Sequence, residues 1–123
     1  MTKSVGLFWG LIAPLACVVV VSAGQVLFKL ASGYLDFRRP LADPRGLIIL
    51  AIALVLYGSA TLFWVAALRN APLGRLYPLM ALSFVLVPLG GAVFLKEPAP
   101  LSYWAGAALI VAGLVVISRV APV

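Results

Sequence analysis

The sequence predicts an all-α integral membrane fold, with four transmembrane helices in a protomer that assembles as a dimer, and three observations carry that expectation. Hydrophobic residues make up 65% of the 123-residue chain and charged residues only 10%, where a soluble domain carries about 25% charge. The apolar residues gather into four runs, about 6–28, 47–68, 76–95 and 101–118, each near the roughly 17–25 residues that a helix needs to cross about 30 Å of hydrocarbon. The segments between them are too short for an extramembrane domain, so residues 1–123 are expected to form a single transmembrane domain.

Nine basic residues against three acidic ones give a net charge of +6. In a soluble protein that excess points to nucleic acid, but here the charges line membrane interfaces, so membrane lipids supply the counter-ions and no nucleic-acid partner is expected. Cys17 stands alone and the chain has no histidine, which removes disulfide and zinc chemistry and leaves no metal site. Cys17 reads as a small buried apolar residue.

The first run, Gly6–Phe28, follows Lys3 and outlasts the small residues Ser22, Ala23 and Gly24. A cleaved signal peptide has an apolar core of only about 7–15 residues, so this span is expected to be retained. Pro14 predicts a kink. Ser22, Gln25 and Lys29 recur at spacings of three and four, which puts them on one helical face turned toward something polar. The loop that follows, with Asp36, Arg38, Arg39, Pro40, Asp43, Pro44 and Arg45, reads as an interfacial turn or a short surface helix.

Span two carries an aromatic and hydroxyl stripe, Tyr57, Thr61, Trp64 and Leu68. The stripe serves packing or lines a cavity, and Trp64 also sits near the span end, where tryptophan meets lipid headgroups. Span three opens with Arg75, Leu76, Tyr77 and Pro78 and contains Ser83, Pro88, Gly90 and Gly91. Carbonyls freed by proline are tolerated in hydrocarbon only under cover, so this span is expected inside the assembly. Span four holds Ala105, Ala108, Ala112 and Gly113, with the small-xxx-small spacing of Ala108 and Ala112 that lets helices approach closely. These four are the candidate dimer interface, although small residues also pack within a protomer.

Four spans place Lys3, Arg69, Arg75 and Arg119 on one membrane face and Lys29, Arg38, Arg39, Arg45 and Lys96 on the other. Four basic residues against five give little orientation, and two protomers inserted in opposite senses would form an inverted repeat around a central site.

Catalysis is not expected: the chain has no histidine, no intramembrane carboxylate pair and no phosphate-binding glycine loop. Asp36, Asp43 and Glu97 all lie in loops or at span ends, so no span offers a carboxylate to a cation. Lys29 either snorkels or meets an anion such as phosphate. Arg75 beside Tyr77 poses the same alternatives, and Glu97 either pairs with Lys29 or a loop arginine or stands exposed.

Several of these segments form a known pattern. Ser22-Ala23-Gly24-Gln25 to Lys29, the run from Trp64 and Leu68 into Arg69-Asn70-Ala71-Pro72-Leu73-Gly74, Tyr77-Pro78-Leu79, Leu82-Ser83-Phe84-Val85, and Glu97-Pro98 before Trp104-Ala105-Gly106 resemble the small four-helix proteins of the drug/metabolite transporter superfamily, small multidrug resistance-like or EamA-like. The chain is most similar to the flippase subunits for aminoarabinose-phosphoundecaprenol. That resemblance implies a multi-pass protein of the bacterial inner membrane, without cofactor, working as a homodimer or with a similar small subunit. Its substrate would be an anionic lipid-linked sugar on undecaprenyl phosphate, with the prenyl tail left in lipid. Carried over by motif, Gln25, Lys29, Tyr77, Ser83 and Glu97 become substrate-binding candidates, joined by Trp64 and Arg75 from the reading above. Val21 stands where multidrug exporters carry their functional glutamate, which argues against proton-coupled drug export. Arg75 replaces the apolar residue usual in the aminoarabinose subunits, which leaves the sugar open. The alternatives are such an exporter of cationic compounds and a non-transporting partner of a membrane glycosyltransferase.

Overall fold

The computed structural model describes residues 6–120, which contain helices and connecting turns and no strand. Four helices are long and apolar enough to cross a membrane: α1 (Phe8–Ser32), α2 (Pro44–Leu68), α3 (Leu73–Phe94) and α4 (Leu101–Val120). Lys3, counted above with one membrane face, lies outside the described residues.

α1 begins as a wide π turn over Phe8–Ile12, in which the Ala13 amide donates to the Phe8 carbonyl. Pro14 accounts for it, since proline brings no N–H and its ring crowds the carbonyl four residues back. The kink expected at Pro14 thus takes the form of one expanded turn ahead of it.

α1 packs on α2 through two ladders of small residues. On α2 the buried positions are Gly46, Ala53, Ala60 and Ala67, and on α1 Cys17, Gly24 and Ala31 are buried at the same interval of seven. A seven-residue period keeps one seam facing its neighbour as helices wrap left-handedly, and small residues let the two backbones close on each other. Cys17 Sγ lies 3.5 Å from the Ala60 carbonyl, which sets the antiparallel register.

α3 is the least regular helix. One turn of α-helix (Leu73–Leu76) leads into a 3₁₀ segment (Tyr77–Leu82), and α-helix resumes over Ser83–Phe94 with Pro88 inside it. Pro88 cannot donate to the carbonyl of Phe84, but the Tyr103 hydroxyl of α4 does, at 2.7 Å. Leaving that carbonyl bare costs about 1–3 kcal/mol. Tyr103→Phe is therefore expected to melt earlier in detergent, and Pro88→Ala in the same chain to restore the melt by supplying the missing N–H. Identical melting of Tyr103→Phe and wild type would contradict this.

Within the single protomer α3 is largely open. Gly91 is the one buried residue of α3 between Ser83 and Phe94, whereas α1, in contact with both α2 and α3, is the most buried span. The carbonyl freed by Pro88 finds its cover in a single tyrosine. α4 touches mainly the 3₁₀ segment of α3 and buries only Ala107 and Leu114.

The loop between α1 and α2 is built from turns rather than a helix. Asp36 accepts from the Arg38 amide at 2.9 Å, and Asp43 caps α2 by accepting from the Arg45 amide at 3.0 Å. The Arg45 guanidinium grips the same carboxylate at 3.1 and 2.9 Å and stacks over Tyr34, 4.9 Å from the ring centre. The Arg45 side chain, then its backbone amide, hold the Asp43 carboxyl below its ordinary value of 3.8. A depressed carboxylate stabilises the folded chain above its unfolded pKa and loses that contribution as pH falls through the lower folded value. The Arg45 amide resonance should accordingly titrate with a midpoint below 3.8, and a midpoint at or above it would refute the cap.

Candidate substrate site between the first and third helices

Lys29 belongs to the last turn of α1, where the helix dipole favours a cation. Its counterpart is placed by the way α3 stops. The Leu95 and Glu97 amides both donate to the Gly91 carbonyl, at 3.0 and 3.1 Å, and Lys96 between them takes a left-handed conformation with φ 55°. The reversal folds Glu97 back over the helix end, where the absent side chain of Gly91 makes room: a Cβ there would lie 3.3 Å from Glu97 Oε2. Lys29 Nζ and Glu97 Oε1 then stand 3.5 Å apart, with side chains 62% and 49% exposed. Of the alternatives open to Glu97, the chain adopts the pair with Lys29.

This pair lines one of two adjoining hollows. One is a polar cup of about 310 Å³ walled by Lys29, Leu30, Gly33, Tyr34, Leu95 and Glu97. The other is an apolar groove of about 590 Å³ running between α1 and α3 past Val19, Ala23, Val26, Leu86, Gly90 and Phe94. Leu30 and Leu95 belong to both walls, so the groove and the cup adjoin there. The helices come closest at Gly90, where a Cβ would lie 2.8 Å from Val26 Cγ2.

The remaining candidates are scattered. Gln25 is exposed one turn before Lys29. Ser22, expected on their polar face, is buried, its hydroxyl donating to the Val18 carbonyl at 2.7 Å within its own helix. Ser83 is half-buried and donates to the Met80 carbonyl at 2.7 Å. Arg75 and Tyr77 are exposed at the start of α3, the far end from Glu97 by about 30 Å at helical rise. Trp64 is half-buried near the end of α2 that leads to them. The fold thus unites Lys29 with Glu97, keeps Gln25 within a turn of them, and gathers Trp64, Arg75 and Tyr77 at the opposite end. Ala105, Ala108, Ala112 and Gly113 are all exposed, and a Cβ on Gly113 would touch nothing within 4 Å, so none of the four packs inside the protomer.

Sequence reasoning missed Val26, Leu30, Leu86, Phe94 and Leu95 as walls of the hollows, because they are aliphatic or aromatic residues in apolar runs. The one available signal was the Gly90-Gly91 pair, read there only as irregularity.

A bundle of four apolar helices with its polar groups collected at the two membrane ends is a multi-pass membrane protein, here of the bacterial inner membrane. Residues 4–119 match the EamA-like transporter family, and the chain belongs to it. It is 32% identical over 116 residues, 91% of this chain and 98% of the relative, to the probable 4-amino-4-deoxy-L-arabinose-phosphoundecaprenol flippase subunit ArnE of Salmonella paratyphi C (strain RKS4594). It is 38% identical over 68 residues to the protein of that name in Escherichia coli O45:K1 (strain S88 / ExPEC), and equally to that of Escherichia coli O81 (strain ED1a). Those Escherichia coli matches span 55% of this chain and 61% of the relative's length. These relatives are named as flippase subunits rather than as enzymes. No solved structure matches the chain.

Proposed function

We propose that this chain is a flippase subunit that moves a polyprenyl-phosphate-linked sugar across the bacterial inner membrane, as a dimer with a second copy or with a similar small subunit. The observation that carries the reading is Lys29 in a cup that adjoins an apolar groove at Leu30 and Leu95, which matches a lipid whose one anionic group joins a hydrocarbon chain to a polar head. The names of the relatives support the same substrate class.

In the empty protein Glu97 occupies Lys29. An exposed pair of this kind contributes only about 0–1 kcal/mol, so a phosphate displaces the carboxylate readily. Lys29 then holds the phosphate, and Gln25, one turn away, offers hydrogen bonds to the sugar. Arg75 and Tyr77 stand too far off to share that head group within one protomer and serve as its landing at the opposite membrane face, with Trp64 beside them and Ser83 along the way. Ala105, Ala108, Ala112 and Gly113 form the contact between protomers, and rocking of one protomer against the other alternates access.

The test is reconstitution in liposomes containing a polyprenyl-phosphate sugar with a fluorophore on its head group. Dithionite, which cannot cross the membrane, should bleach the whole pool in vesicles with the protein and only the outer half in empty ones. Bleaching that stops at half, with a cationic dye driven by a proton gradient instead, would replace this reading with the drug exporter. A stoichiometrically co-purifying glycosyltransferase and no lipid movement would replace it with the scaffold.

A further inference from the structure

The groove between α1 and α3 is larger than the cup it adjoins and carries almost no polar surface, so a head group alone leaves it empty. We infer that this groove seats the phosphate-proximal part of the substrate's polyprenyl chain, so that the chain recognises the lipid as well as the head. The inference extends the flippase reading and depends on it. It also departs from the expectation that the whole tail stays in bulk lipid.

Three features point to this occupant. Lys29 lines the cup beside the groove, next in sequence to Leu30 of the shared wall, so a cation stands where a chain terminating in phosphate requires one and an uncharged apolar segment of a protein partner does not. Leu30 and Leu95 stand on both walls, so the border between groove and cup is apolar. Ala23 on α1 is small, leaving a recess beside the larger Val26, Leu86 and Phe94. A methyl-branched chain fills such a recess and a straight acyl chain leaves it void, and unfilled apolar recesses forfeit dispersion contacts.

Ala23 is the position at which to test this, because it is exposed and lines the groove. Ala23→Trp places an indole in the groove and leaves Lys29 and Glu97 untouched. Binding of undecaprenyl phosphate to the purified protein in detergent is followed by native mass spectrometry, with undecaprenol, phosphatidylglycerol and inorganic phosphate as comparison probes. Wild type should bind undecaprenyl phosphate at least tenfold more tightly than any of the three. Ala23→Trp should lose at least tenfold while keeping the wild-type helical content and melting temperature.

A diazirine-bearing prenyl phosphate, photolysed on wild-type protein, should label the peptides around Leu86 and Phe94, and this arm decides the matter if Ala23→Trp fails to fold. Wild-type affinity in a folded Ala23→Trp protein, or labelling confined to α4, would overturn the groove assignment. If Lys29→Ala alone loses binding, the flippase reading stands while the groove falls. If phosphatidylglycerol binds as tightly as undecaprenyl phosphate, the groove is a general phospholipid seat and the inference is wrong. A wild-type protein that neither binds nor moves the prenyl phosphate removes both.

Discussion

Lys29→Ala is expected to abolish head-group transfer in liposomes, while the variant still inserts and melts like wild type. The side chain is 62% exposed and its one ionic partner is Glu97, so its removal leaves no buried charge unpaired and the fold loses little. The substrate loses more. A hydrogen bond to a charged group contributes about 1.5–3 kcal/mol, which corresponds to roughly ten- to hundredfold weaker binding of the phosphate. Lys29→Arg should keep most of the transfer, since guanidinium also binds phosphate. Glu97→Gln separates the anion reading from the cation reading by sign: it frees Lys29 and should tighten phosphate binding, whereas in a cation exporter it removes the binding group. Normal transfer by a folded Lys29→Ala protein, or weaker phosphate binding in Glu97→Gln, would sink the assignment.

Gly90→Val should damage stability and transport together. Even an alanine Cβ would lie 2.8 Å from Val26 Cγ2, closer than side chains approach. Val26 cannot swing aside easily, because a β-branched residue in a helix is nearly confined to one rotamer. The added bulk therefore pushes α3 off α1, at a cost of about 1–3 kcal/mol for overpacking. Val26 is one turn before Lys29, and Gly91, which cradles Glu97, is next to Gly90, so the same displacement pulls the ion pair apart. Val26→Ala in the Gly90→Ala background returns the space and should recover both melting temperature and transfer. A Gly90→Val protein that melts and transports like wild type would show that the contact does not hold the helices.

The four spans were legible because apolar length is a property of each segment alone. Pro14 was legible as a disturbance for the same local reason, though not as a π turn. The α1–α2 seam was present as Cys17, Gly24, Ala31 and Gly46, Ala53, Ala60, Ala67 but stayed hidden, since alanine among valines and leucines barely alters hydropathy. Small-residue spacing was noticed on α4, where the side chains prove exposed, and overlooked where it packs the two central helices. Lys29 and Glu97 stood out as charges in an apolar chain, but their pairing needed the reversal at Lys96, a backbone conformation that nothing in Leu95-Lys96-Glu97-Pro98 demands locally. The role of Tyr103 was equally out of reach, because it depends on which carbonyl Pro88 leaves bare and which helix comes alongside.

The tight spot where Val26 meets Gly90 lies close to one end of α3, with a handful of residues beyond it and most of the helix before it. A rod that turns about such a fulcrum has unequal arms. A small swing of the short arm, such as the step by which Glu97 quits Lys29, becomes a several-fold longer and opposite sweep of the long arm bearing Tyr77 and Arg75. Any tilt of α3 about that contact would therefore move its two membrane ends by unequal amounts.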